Sequence, residues 1–385
     1  MNPLADALGL YVHWPYCARI CPYCDFNVYR PKGQEDALLE AILADMTHWR
    51  ELGGPRSLAS IHFGGGTPSL MTGAQIERLI RHAEDLWGLD EGAEIGLEAN
   101  PNNVEHFGDF IAAGINRLSV GVQSLEDAAL KQLGRDHDGP LARRAIGRAM
   151  AVCDRVSIDM IYARAGQTAK SWEAELREIL AFGAGHISPY QLTIEDRTAF
   201  GRRAARGEQL DSPEGLAADL FELTHDICDA HGLAAYEISN HAREPADQSR
   251  HNRLYWEGGD WIGVGPGAHG RIGSASETGG RQACEARAHP KAYLDAVAAS
   301  ASGVATREIL TAADERAERI LMGMRLSDGL DLDVLQRKTG LTIDQTAYQR
   351  LTAQGLVERA ANRIRLLPAG RIFADRISGE LVPDA

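Results

Sequence analysis

Cys17-x-x-x-Cys21-x-x-Cys24 places three thiols within eight residues, whereas Cys153, Cys228 and Cys284 are scattered singly. In a reducing compartment, clustered cysteines point to metal or redox chemistry before disulfides. Three thiolates on one short loop can bind three irons of a cubane cluster, because soft sulfur suits iron–sulfur assembly, and the fourth iron is then open. Zinc is the plainer alternative. It needs a fourth protein ligand, however, and the Cys21-x-x-Cys24 pair has no second pair downstream. A thioredoxin-like reading keeps two cysteines and leaves Cys17 without a role.

The thiols follow directly on the first of a series of short β-rich runs that alternate with longer helical patterns. The runs are Leu8 to His13, Ser60 to Phe63, Glu94 to Glu98, Arg117 to Val122, Val156 to Tyr162, Ile187 to Thr193 and Ala235 to Ser239. Helical periodicity fills most gaps, as in Glu35 to Glu51, Gln75 to Trp87, Leu141 to Cys153 and Ser171 to Phe182. Such alternation predicts an α/β fold with a parallel sheet and right-handed crossovers, either doubly wound or a barrel. After about residue 240 the pattern breaks, and the Gly-rich stretch Gly258 to Gly280 predicts a linker or long loop system. From Ala312 three helical segments return, followed by Leu356-Val357-Glu358 and Ile364-Arg365-Leu366 on either side of Asn362. That order resembles a winged helix. The expected division is 1–240, 241–305 and 306–385. Residues 311–385 carry 11 acidic and 11 basic side chains, so no electrostatic excess favours nucleic acid, and a structural or partner-docking module is expected.

Composition sets wider limits. The chain has 385 residues, 44% of them hydrophobic and 24% charged, enough to bury a full core. Its net charge of −14 gives no general attraction for phosphate backbones or anionic membranes. The N-terminal residues lack the basic flank and apolar stretch of a signal peptide, and no apolar run of membrane-spanning length occurs, so a cytoplasmic protein is expected.

The segments Tyr11-Val12-His13-Trp14-Pro15-Tyr16-Cys17 and Cys24-Asp25-Phe26-Asn27 resemble the radical S-adenosylmethionine (radical SAM) superfamily, and within it the branch holding oxygen-independent coproporphyrinogen III oxidases and HemW-type haem chaperones. The resemblance implies an incomplete (β/α)6 barrel with a C-terminal winged-helix-like domain. It also implies a 4Fe-4S cluster on Cys17, Cys21 and Cys24, with S-adenosylmethionine chelated to the open iron. The cofactor carries the hard chemistry and the protein supplies binding and orientation. Gly64-Gly65-Gly66-Thr67-Pro68 matches the loop for the methionine part of the cofactor, where glycines let backbone approach a ligand and expose N–H and C=O groups to it. Glu98, Gln123, Arg135 and Asp159 match cofactor-contact positions near strand ends, where side chains converge over a barrel mouth. Each of them alone reads equally as a residue tying down its own loop. Tyr11 and Tyr23 are expected to line the cluster and cofactor, with core packing as the plain alternative.

Ala163-Arg164-Ala165-Gly166-Gln167 departs from the family's Gly-Leu-Pro-Gly-Gln type turn, and Trp14 replaces the usual aliphatic residue before Pro15. The oxidases carry a further cysteine two residues after the third, where this chain has Phe26, and a long segment before the motif. Both differences favour the chaperone branch, without coproporphyrinogen oxidase activity and with no residue assigned a catalytic role. His251-Asn252-x-x-Tyr255-Trp256 resembles the HemW-type motif, which makes His251 a candidate axial ligand for haem with aromatics to cover the porphyrin face, and His269 a weaker one. A hydrogen-bonded loop histidine is the alternative. The implied partners are haem and haem-acceptor proteins such as respiratory haemoproteins, and a homodimer is compatible with the reading.

Overall fold

The structure, a computed structural model, describes residues 3–273 and 280–383. Six parallel strands build its centre: β1 Leu8–Trp14, β2 Leu58–Gly65, β3 Leu89–Ala99, β4 Arg117–Gln123, β5 Val156–Tyr162 and β6 His186–Gln191. Parallel neighbours need a long crossover, and helices such as Glu35–Gly53, Gly73–Trp87, Gly139–Val152 and Ala169–Ala181 provide it. Outward-facing Leu97, Leu118, Val120 and Ile158 are fully buried beneath Ile42, Ile76, Ile146 and Leu176 of these helices, forming one core. Burial of each such side chain contributes about 1.5–3 kcal/mol.

The other face follows from the period of two along a strand. Register aligns Glu98 with Ser119, Ser119 with Ser157, and Asp159 with Ser188, so the inward layers are polar and face a cavity of about 440 Å³. This is a concave binding surface, unlike the packed apolar interior of a closed barrel.

The sheet continues beyond both ends of this set with β7 Ala234–Ala235, β8 His241–Ala242, β9 Asp260–Val264, β10 His269–Ile272, β11 Gln282–Ala286 and β12 Val304–Ile309. Its order is β12-β11-β10-β9-β1-β2-β3-β4-β5-β6-β8-β7, an open arrangement whose ends do not meet. Two sequence expectations are corrected here. The run Ala235 to Ser239 supplies only the two-residue β7, paired antiparallel at an edge. The Gly-rich stretch holds two strands: β9 runs parallel to β1, β10 is antiparallel to β9, and β11 just beyond the stretch is antiparallel to β10. Its residues 274–279 lie outside the described residues. The glycines there serve close strand approach, since a Cβ on Gly263 would meet the His269 carbonyl oxygen at 2.1 Å.

The C-terminal unit has its own small core around Ile320, Leu335, Leu351 and Ile377. Its sheet has the order β13 Leu330–Asp331, β15 Arg363–Leu366, β14 Val357–Ala360, and the last two strands form the expected hairpin around Asn362. Among the described residues, no helix is long and apolar enough to cross a membrane.

Burial gives this fold a pH dependence. His225 and His241, 4.8 Å apart, are pushed down to about 4 and about 3, chiefly by desolvation, and His137 likewise to about 4. His186 and His251 are also lowered by burial. A histidine held neutral in the fold stabilises it fully above the ordinary imidazole range and loses that contribution as pH falls toward the lowered value. Asp45 and Asp159, raised to about 6 by burial, act in the opposite sense between about 6 and the ordinary carboxylate range. With His13, also lowered by burial, six histidines outweigh two carboxyls, so the melting temperature should fall between roughly pH 7 and pH 5, the contributions of His225 and His241 each reaching up to about 2 kcal/mol. Scanning calorimetry checks this, and His241→Gln should flatten the profile.

Candidate functional site

The three cysteines lie on the loop that leaves β1 and roofs the cavity. Its base is fastened where Tyr16 bridges Tyr29, with the Cys17 N–H donating to the Tyr29 carbonyl at 2.9 Å and the Tyr29 N–H to Pro15 at 2.7 Å. Phe200 N–H donates to the Pro22 carbonyl at 2.8 Å and anchors the far side. None of the six cysteines is in a disulfide. Burial pushes the Cys17 thiol up and the Cys24 thiol up to about 11.

Residues from successive strand ends surround this roof. Thr67 Oγ1 donates to Cys17 Sγ at 3.3 Å. Arg135 donates from Nη2 to the Gly121 carbonyl at 2.9 Å and approaches Cys21 Sγ with Nη1 at 3.6 Å, while its buried Nε has no partner. A guanidinium in that condition suits an anionic group beside the thiols. Glu98 faces the cavity with one oxygen accepting from Gly65 N–H at 3.2 Å and the other paired with His62 Nε2 at 3.3 Å. Asp159 accepts from Ser119 Oγ at 2.8 and 2.9 Å and from Ser157 Oγ at 3.1 Å. Gln123 holds a φ of 68° at the end of β4, a left-handed conformation that costs a non-glycine residue of order 1–3 kcal/mol and tends to occur at ligand sites.

The Gly64 to Pro68 loop lines the cavity with Gly65, Gly66 and Thr67. Its N–H groups are spent inside the protein, Gly65 on Glu98, Gly66 on Trp14 at 2.8 Å and Thr67 on Tyr16 at 2.9 Å. The loop thus stitches β2 to the cysteine loop through its N–H groups while its residues border the cavity. Gly65 is required there, since its φ is 106° and a Cβ would meet the His13 ring at 2.5 Å.

Tyr23 lies at the cavity beside Cys21, its ring 6.3 Å from Phe200. Tyr11 does not line the cavity. Its ring stacks against His62 and its hydroxyl bonds His13 Nδ1 at 3.0 Å. His251 also departs from expectation, because its motif forms a helix, Arg250–Trp256, rather than a loop. The imidazole is 1% exposed, with Nδ1 on Ser60 Oγ at 2.8 Å and Nε2 on the Tyr255 hydroxyl at 2.6 Å, leaving no ring nitrogen free for iron. Trp256 is covered by the Arg325 guanidinium at 4.8 Å. His269 is exposed on β10.

The donor set fits a cubane better than a single ion. Among the described residues, no three His, Cys, Asp or Glu side chains are grouped as ligands of one metal. Thiolates that each take a different iron do not need to converge on one point.

Residues 11–179 match the Radical SAM superfamily and residues 310–373 the HemN C-terminal domain. The heme chaperone HemW of Mycobacterium tuberculosis is 33% identical over 96% of this chain and 93% of its own. The chain belongs to the HemW family of radical SAM proteins. The heme chaperone HemW of Escherichia coli is likewise 33% identical, over 96% of this chain and 97% of its own. A mitochondrial radical S-adenosyl methionine domain-containing protein 1 of Danio rerio is 35% identical over 84% and 73%. Coproporphyrinogen III oxidase (HemN) from Escherichia coli superposes with a TM-score of 0.82 over 98% of this chain and 91% of its own at 22% identity, which establishes a shared radical SAM fold.

One further part of this site escapes sequence reading. Glu94, fully buried on β3, accepts from the N–H groups of Arg250 and His251 at 2.9 Å each and from Ser249 Oγ at 3.3 Å, and pairs with Arg155 at 2.6 Å. A carboxylate at a helix N-terminus satisfies its unbonded donors and its dipole. The motif helix is thereby fixed so that Ser249 and Asn252 face the cavity and His251 does not. The available signal was phase: Glu94 and Glu98 are four residues apart on one strand and share its inward face.

Proposed function

We propose that this chain is a cytoplasmic haem chaperone of the HemW type that holds a 4Fe-4S cluster on Cys17, Cys21 and Cys24, binds S-adenosylmethionine beside it, and passes haem to acceptor proteins such as respiratory haemoproteins. The observation carrying this reading is the polar cavity roofed by three thiols and walled by Arg135, Glu98, Gln123 and Asp159. When bound, the cluster and S-adenosylmethionine supply electron delivery to a sulfonium and its reductive cleavage. The chain's own residues bind and orient. Glu98, held from two sides, is placed to accept from an amino group, Asp159 from ribose hydroxyls, and Arg135 to neutralise a carboxylate or the cluster's charge.

The chaperone reading over the oxidase rests on Phe26, which is 60% exposed at the mouth where the oxidases carry a cysteine. With Ile20 and Tyr190 it leaves apolar surface at the rim, suited to a porphyrin face. The reconstituted protein, given reductant and S-adenosylmethionine under anaerobic conditions, should therefore bind haem yet leave coproporphyrinogen III unconverted. Chromatographic product analysis checks this, and multiple-turnover formation of protoporphyrinogen IX would move the assignment to the oxidase.

A further inference from the structure

The register of β1, β2 and β3 stacks two inward layers below Glu98. The upper joins Tyr11, His62 and Gly96, and the lower joins Gly9, Ser60 and Glu94. Gly96 leaves the space that His62 occupies, since a Cβ there would lie 2.8 Å from His62 Nδ1. His62 thus leans over the missing side chain. Among the described residues its Nδ1 is buried without a partner, and the one hydrogen bond of its ring runs from Nε2 to Glu98.

Polar bonding alone therefore leaves His62 held at one point. Ring packing fixes the rest: His251 lies face to face behind His62 with centroids 4.8 Å apart and planes 15° from parallel, nearer than Tyr11, whose ring stacks on His62 at 6.2 Å. His251 in turn is clamped by Ser60 at one nitrogen, Tyr255 at the other, and Glu94 at its N–H. The chain of contacts runs from the motif helix through His251 and His62 to Glu98, and Glu98 is the carboxylate at the cavity wall.

We propose that His251 is a positioning residue for the cofactor cavity: its ring, locked behind His62, holds the His62–Glu98 pair in place and so sets the affinity for S-adenosylmethionine, and it does not ligate haem iron. This rests on the reading of the cavity as the S-adenosylmethionine site. Removing the ring opens space behind His62, lets that imidazole drop away, and frees one oxygen of Glu98. Loss of partners that orient a ligating group typically costs 10–100-fold in affinity, so His251→Ala should weaken S-adenosylmethionine binding at least about tenfold. A flat apolar ring in its place should restore the wall, provided the hydroxyl it would orphan is also removed. The double variant His251→Phe with Tyr255→Phe is therefore expected within about threefold of the parent.

The test uses the full chain, reconstituted anaerobically, with equilibrium dialysis of labelled S-adenosylmethionine and, separately, the Soret spectrum of bound ferric haem. The expected result is weakened S-adenosylmethionine binding in His251→Ala, recovery in the double variant, and a parental Soret band in both. Unchanged S-adenosylmethionine affinity in folded His251→Ala, or a shifted or lost Soret band in either variant, would overturn the proposal. If His251→Ala fails to fold, the double variant decides by itself, since it has a ring but no nitrogen to give iron. Failure of the parent protein, carrying its full cluster, to bind S-adenosylmethionine would remove the cavity assignment and this proposal with it, an outcome distinct from a defect confined to the variants.

Discussion

Cys21→Ala should abolish the cluster. Anaerobic reconstitution of the parent chain is expected to give about four irons and four sulfides per protein, following cubane stoichiometry, and the variant close to none. Cys21 sits on the loop with Cys17 and Cys24, next to the Arg135 guanidinium, and no other thiol belongs to that roof. Cys153, Cys228 and Cys284 are packed into the hydrophobic core, and burial pushes the Cys228 thiol up to about 12. Replacing any of these three with Ala should leave iron and sulfide content unchanged, whatever it does to the melting temperature. Iron and acid-labile sulfide analysis reads the result directly. A cluster that needs one of the core cysteines would show that the ligands are misassigned.

The second large effect is on stability. Glu94 is a fully buried carboxylate that pairs with Arg155 at 2.6 Å, lies 4.0 Å from Arg117, and caps the motif helix. The nearby guanidiniums and the donated N–H groups overcome desolvation and hold its carboxyl below the usual range. Removing one partner of a buried pair leaves the other charge uncompensated, which costs about 3–5 kcal/mol. Glu94→Ala should lose stability on that scale in denaturant unfolding. Glu94→Gln, which keeps the shape and one acceptor, should lose less. A loss below about 1 kcal/mol in Glu94→Ala would contradict the role given to this residue.

Most of the residues that carry the family resemblance are gathered by the fold at one cavity, whereas Tyr11 and His251 lie behind its wall. The strands containing Val12, Phe63, Leu97, Val120 and Ile158 announce themselves because each is a short β-rich run bounded by turns and followed by a helix with its own period. Strands β3, β4 and β5 then place Glu98, Gln123 and Asp159, and the loop after the short helix Asp127–Gln132 places Arg135, around one cavity with the cysteine loop above it. What stayed hidden depends on contacts between distant segments. Strand β9 has five residues, two of its neighbours are glycines, and its partner β1 lies some 250 positions earlier, so no local pattern marks it. The inward turn of His251 depends on Glu94 capping its helix from β3. A motif shows which residues travel together but not which of them faces the ligand.

The departures from the family pattern can be followed in the same way. Ala163 stands where the usual turn has a glycine, and it holds a φ of 59°, a left-handed conformation adopted despite the Cβ. Arg164, in place of an aliphatic residue, forms a buried pair with Glu175 at 2.6 Å, and Glu175 also accepts from Leu125 N–H at 2.7 Å. This pair ties the turn after β5 to the start of the segment after β4.

The most direct test of the chaperone reading is haem transfer itself. The reconstituted protein, loaded with one equivalent of haem and separated from free haem, is mixed anaerobically with a haem-free respiratory haemoprotein, and the acceptor's Soret band is followed alongside its regained activity. The account predicts that haem leaves this protein for the acceptor, and that the Cys21→Ala variant, loaded in the same way, transfers it poorly. Haem that stays on the protein, or never binds, while coproporphyrinogen III is converted in the same preparation, would contradict it.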